Sequence, residues 1–138
     1  MDREAVLNKL SNYSYYSARL EETRKQYKSI CYKVTATYGN LAGSGGGGYG
    51  SKVEDMGNRR YDLEMKMRKY KAHITEVYRM IEESGLDERE KKLMWCIANN
   101  EKLQAFARRE HIGKDNVYKI RDRAIDKIIA ANKPQNVV

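Results

Sequence analysis

Several residue types are nearly missing from this chain. Proline, phenylalanine and tryptophan occur once each, as Pro134, Phe106 and Trp95, while cysteine and histidine occur twice. With its one proline near the C-terminus and a third of its residues charged, the chain favours helix over sheet. Two histidines, His73 and His111, suggest no Ser/His/Asp or Cys/His arrangement. The acidic residues follow no metal-ligand spacing, so no catalytic residue, metal site or cofactor is expected. Cys31 and Cys96 stand far apart, outside any CxxC pattern, and read as two buried thiols in a reducing compartment. No run approaches the ~20 apolar residues of a membrane span, and no charged-then-apolar signal segment opens the sequence. A soluble, intracellular protein without a membrane partner is the expectation.

Positive charge is what the chain has in excess. A net charge of +8 over 138 residues suggests an anionic partner, nucleic acid first and a membrane surface second. Residues 1–84 carry 15 basic against 11 acidic groups and residues 85–138 carry 12 against 8, so the shorter second part is denser in charge.

Two long stretches keep a 3-4 apolar spacing. The first runs Val6, Leu10, Tyr13, Ser17, Leu20, Arg24, Tyr27, Cys31, Val34, Tyr38, Leu41; the second runs Val53, Met56, Arg60, Leu63, Met67, Tyr70, Ile74, Val77, Ile81. That alternation is the seam of a coiled coil. Pairs such as Glu21/Lys25, Asp55/Arg59, Asp62/Lys66 and Glu64/Arg68 suit exposed faces between the seams. Neither helix can bury its seam alone, which predicts an antiparallel hairpin over residues 1–84, with a second copy of the chain as a possible partner. Between the stretches, "NLAGSGGGGYGSK" holds six of the ten glycines. It ends in Gly-Ser-Lys where a phosphate loop needs Gly-Lys-Ser/Thr, and a helix precedes it where that loop needs a strand. A flexible tip at about 40–52 is the expectation.

After Ile81 the pattern changes. Gly85 predicts a helix stop and Asp87 with Glu90 a capping box. Leu93, Met94 and Ile97 mark a short helix, a second covers about 101–110, and a third runs from Lys114 to about Ala131 behind Gly113. Phe106 and Ala107, then Ile112, then Val117 and Ile120 give the spacing of a helix-turn-helix: a small residue at the crossing, an apolar plug in the turn, and two apolar residues on the second helix. The fold class is therefore all-α, a long antiparallel hairpin followed by a small three-helix domain over 85–138.

The order "LQAFARREHIGKDNVYKIRDRAIDKI" resembles region 4 of the sigma-70 family at Val117, Ile120, Ala124, Ile125, Lys127 and Ile128, over about Asp87 to Ile129. It departs at His111, where that turn usually has glycine, and at Glu110, where an apolar residue is common. The layout of the whole chain is similar to small transcriptional regulators of phages and prophages, of the RinA and ArpU type. The resemblance implies a DNA-binding protein of a bacterial host's cytoplasm, and it puts Lys114 and Asp115 at a basic–acidic base-reading pair and Lys119 at the next contact. Lysine donates to guanine, aspartate accepts from cytosine and Asn116 suits adenine. Lys102, Arg108, Arg109 and Tyr118 are placed for phosphates. The plainer reading is a solvated face, on which Arg121, Arg123 and Lys127 pair with Asp122 and Asp126.

The expected function is a sequence-specific regulator whose partners are double-stranded DNA and, through the hairpin, RNA polymerase or a second copy of the chain. The alternatives are a phage small terminase subunit, which joins a helix-turn-helix to assembly helices, and a helical adaptor that binds no DNA.

Overall fold

The computed structural model describes the backbone of residues 1–41 and 49–132, and the side chains of residues 1–33 and 54–132. Within them the chain forms five helices and no strand: α1 (Arg3–Leu41), α2 (Tyr49–Glu82), α3 (Glu88–Ala98), α4 (Leu103–Arg109) and α5 (Lys114–Ala131). The all-α architecture of two long helices and a small helical domain is the one the apolar spacing requires. The tip expected at 40–52 is narrower, because α1 runs to Leu41 and α2 begins at Tyr49; what remains of it lies outside the described residues.

Two compact units form. One comprises Met1–Tyr16 and the chain from His73 onward; the other is Ser17–Ala72. The boundary expected at 84/85 falls inside the first unit. Its physical cause is a shared core: Val6 and Leu10 of α1 and Val77, Met80 and Ile81 of α2 are buried with Leu93, Met94, Phe106, Val117, Ala124, Ile125 and Ile128. Burying a side chain such as Phe106 or Leu93 is worth ~1.5–3 kcal/mol, so the hairpin's base adds to the stability the short helices gain by packing on one another. Polar contacts add to the join. Arg3 of α1 grips Asp126 of α5 with Nη2 3.0 Å from the carboxylate, and Lys9 pairs with Glu76. Trp95 of α3 meets Tyr13 edge-on at 5.4 Å, while its indole N–H donates to Glu82 at 3.1 Å. That bond, with Lys91 at 3.3 Å, holds the Glu82 carboxyl below the usual carboxylate range.

The antiparallel pairing of α1 and α2 is visible inside each unit. In the first, Lys9 meets Glu76 and Tyr16 stacks on His73 with ring centres 4.3 Å apart. In the second, the Tyr27 hydroxyl donates to Glu64 at 2.8 Å. The bond to a carboxylate, with burial behind it, pushes the Tyr27 phenol up to about 12.

The seam itself departs from the expected register beyond Leu20. Thr23 and Ile30 are buried, whereas Arg24 is exposed and Cys31 half-buried. A guanidinium inside a two-helix seam would lose its hydration without a partner. The buried stripe instead shifts one residue N-terminally, where Thr23 satisfies its hydroxyl on the Arg19 carbonyl at 2.7 Å. Cys31 is therefore not the buried thiol expected, while Cys96 is, its thiol pushed up to about 11 chiefly by burial. None of the four acid–base pairs expected between the seams forms among the described residues. Arg60 approaches Glu64 at 3.9 Å instead, as exposed pairs contribute little to hold long side chains in place.

Candidate nucleic-acid interface

The ends of the short helices are set by local chemistry. Gly85 takes φ +75°, a left-handed conformation glycine adopts without steric cost, and ends the hairpin's second helix. Asp87 then caps α3: its carboxylate accepts from the Glu90 N–H at 2.8 Å, and Glu90 accepts from the Asp87 N–H at 3.2 Å. That backbone bond holds the Asp87 carboxyl low. The α3 core face is Leu93, Met94, Cys96 and Ala98; Ile97, expected on it, is only half-buried.

Between α4 and α5 the chain turns over Glu110–Gly113. His111 carries the positive φ, 54°, that the turn demands, and the Ile112 N–H closes it on the Ala107 carbonyl at 2.9 Å. Val117 is buried, and Ala107, Ile112 and Ile120 pack against the same core. Glu110, the second departure in the turn, is the last residue of α4's cap and sits half-buried, 3.8 Å from Lys92.

This clasp leaves Lys114, Asp115, Asn116 and Lys119 exposed on the first two turns of α5. Successive residues lie 100° apart around a helix, so Lys114 and Tyr118 share one stripe and Asp115 and Lys119 the next. On the other side of the turn, Lys102 stands at the N-cap position of α4 and Arg108 and Arg109 close its last turn, all exposed. A shallow cavity of ≈ 280 Å³ brings Gln104 and Arg108 of α4 together with Lys114 and Tyr118 of α5, over a floor that includes Leu103 and Val117. No protein-family model, no curated protein and no solved structure matches this chain.

The candidate residues separate into two kinds. Lys102, Arg108, Lys114, Asp115 and Lys119 make no ion pair among the described residues. Arg109, in contrast, sits 3.6 Å from Glu101 and above the Phe106 ring, and reaches a phosphate only by leaving that carboxylate. Asn116 lies back toward the turn, its amide nitrogen 3.8 Å from where a Cβ on Gly113 would stand. Tyr118 lies under the Arg121 guanidinium, 5.0 Å from its ring centre. Arg121, read from the sequence only as a pairing partner on a solvated face, therefore belongs to this surface, as does Gln104, which escaped the sequence reading. The i, i+4 spacing of Gln104 with Arg108 was the available signal.

The pairing expected along α5 is mostly absent. Arg121 meets its neighbour Asp122 at 3.2 Å, but Asp126 goes to Arg3 and Lys127 to the buried Glu90 at 2.6 Å. Lys127 is thus a fastener between α5 and α3. Among the described residues no group of three or more His, Cys, Asp or Glu could hold a metal ion, and no helix is long and apolar enough to cross a membrane.

Proposed function

We propose that this chain is a sequence-specific DNA-binding regulator of the phage or prophage type, with α5 entering the major groove of double-stranded DNA. The observation that carries the reading is the unpaired charge at one end of the helix-turn-helix. Four cations, Lys102, Arg108, Lys114 and Lys119, and one carboxylate, Asp115, stand exposed around the turn without ionic partners among the described residues. Elsewhere in the same unit, Arg3, Lys9, Lys91 and Lys127 are ion-paired, while Arg79, Arg89 and Arg123 are exposed without an ionic partner among the described residues but are not gathered at one end. Exposed lysines spread over two adjoining helix ends suit a phosphate backbone, where neutralising each phosphate releases counterions. A lone aspartate among them lowers general affinity for DNA, and its compensating use is acceptance from cytosine N4. Lys114, Asp115 and Lys119 read base edges; Lys102 and Arg108 fix the helix against the backbone, with Arg109 and Tyr118 at the rim.

In this reading the hairpin serves contact with RNA polymerase or pairing with a second copy. Selection of bound duplexes from a random pool, run beside a light-scattering mass, tests it. A regulator gives an enriched motif and a monomer or dimer. A ring of eight or more subunits instead marks a packaging subunit, and absence of any salt-dependent DNA binding marks an adaptor.

A further inference from the structure

Charge is unevenly divided between the two compact units. Ser17–Ala72 contains twelve Lys or Arg against six Asp or Glu, a net +6 of the chain's +8. The unit with the helix-turn-helix therefore holds only +2, so most of the excess lies where the proposed DNA contacts do not. Within the basic unit, α1 and α2 form a groove of ≈ 400 Å³ whose floor is Ile30, 7% exposed, and Met56. Its rim is cationic: Lys25 and Lys33 stand on α1 and Arg59 faces them from α2. Lys25, Ser29 and Lys33 repeat at i, i+4, i+8, so the two lysines lie ~12 Å apart along one helix face. Neither Lys25 nor Arg59 makes an ion pair among the described residues. Large apolar side chains stand exposed elsewhere in the unit: Tyr32 (77%), Tyr61 (62%) and Met65 (46%).

We propose that this groove is a docking site for an acidic protein segment that carries an apolar anchor between Asp or Glu residues. Charge complementarity and the apolar floor argue together. A nucleic-acid backbone would use the cations but leave Ile30 and Met56 without a counterpart. A second copy of the chain would bring another +6 surface to this one, and like charges across an interface disfavour the match. A segment with its apolar side chain on Ile30 and Met56 and carboxylates toward Lys25 and Arg59 satisfies both features. The site lies in the hairpin and stands independently of the DNA reading.

The test uses the full chain and a fluorescein-labelled 12-residue peptide, Phe-Leu at its centre with Asp or Glu on both sides, read by anisotropy. Two controls accompany it: the same peptide with Ala-Ala at the centre, and a random-sequence DNA duplex. The expected result is saturable binding of the Phe-Leu peptide, weakened about tenfold by the Ala-Ala change and about tenfold or more by the Lys25→Glu/Arg59→Glu pair. Both substitutions are on exposed side chains, and circular dichroism checks that the helices remain. DNA binding through α5 should be left within about twofold by that pair. No peptide binding, or binding that ignores the charge reversal, overturns the proposal. Equal affinity for the Ala-Ala peptide together with a large loss of duplex binding in the double variant also overturns it, and identifies a polyanion surface. A dimer that the double variant converts to monomer overturns it in favour of a self-interface.

Discussion

Lys127→Met exposes how the helix-turn-helix is held to the rest of its unit. Glu90 is 2% exposed, and its Oε1 accepts from Lys127 at 2.6 Å and from the Asp87 N–H at 3.2 Å. Its Oε2 is buried without a hydrogen-bond partner among the described residues. Removing one member of a fully buried ion pair costs ~3–5 kcal/mol, because the survivor stays charged and dry. Lys127 is 40% exposed, so water already screens part of the attraction, and the expected loss falls to about 2 kcal/mol. At roughly 4 °C per kcal/mol for a chain of this size, the melting temperature drops by about 8 °C. Glu90→Gln added to Lys127→Met removes the stranded charge while Gln still accepts from the Asp87 N–H. The double variant should recover about 1 kcal/mol over Lys127→Met alone. Urea unfolding of the four proteins of the cycle gives the coupling. Additive losses, or a Lys127→Met cost below about 0.5 kcal/mol, would refute the claim that this pair fastens α5 to α3.

Two further outcomes follow from the local geometry. Asp87→Ala removes the α3 cap and should cost about 1 kcal/mol. Because the folded Asp87 carboxyl is held low by the Glu90 N–H, that contribution is fully present above the ordinary carboxylate range and is lost as pH falls through the folded value. The variant should therefore show a shallower acid limb than the wild type in stability measured from pH 7 downward. At the turn, His111 pays a steric penalty at φ 54°. Glycine relieves it and gives part back through a freer unfolded chain, so His111→Gly should gain about 0.5 kcal/mol in urea unfolding. A loss would mean the imidazole makes a contact that outweighs the strain.

Much of the fold was legible because it rests on short-range rules. The seam residues Val6, Leu10, Leu20, Leu63, Val77 and Ile81 are buried as their spacing demands. Gly85, Asp87, Glu90 and Gly113 mark helix ends whose signals span four residues or fewer. The seam's one-residue shift was less legible: periodicity weighs Arg24 and Thr23 nearly alike, and only the cost of drying a guanidinium separates them. Ion pairing was the least legible layer. Arg3 and Asp126 are 123 positions apart, and Glu90 and Lys127 are 37 apart, so no spacing rule joins them. The site was readable to the same depth. Exposure of Lys114, Asp115, Asn116 and Lys119 follows from the inward set Val117, Ile120, Ala124 and Ile128. The neighbours that modify the surface, Glu101 beneath Arg109 and Arg121 above Tyr118, depend on packing between side chains that the pattern does not encode.

Salt-titrated anisotropy on a selected duplex and on a random one, comparing wild type with Lys114→Ala and Arg108→Ala, puts the proposed DNA face at risk. Lys114→Ala should lose roughly 1–3 kcal/mol on the selected duplex and little on the random one. Arg108→Ala should weaken both alike and flatten the salt slope by about 1. Wild-type protein that shows no salt-dependent binding, or a Lys114→Ala protein that matches it on both duplexes, would contradict the assignment of α5 as the reading helix.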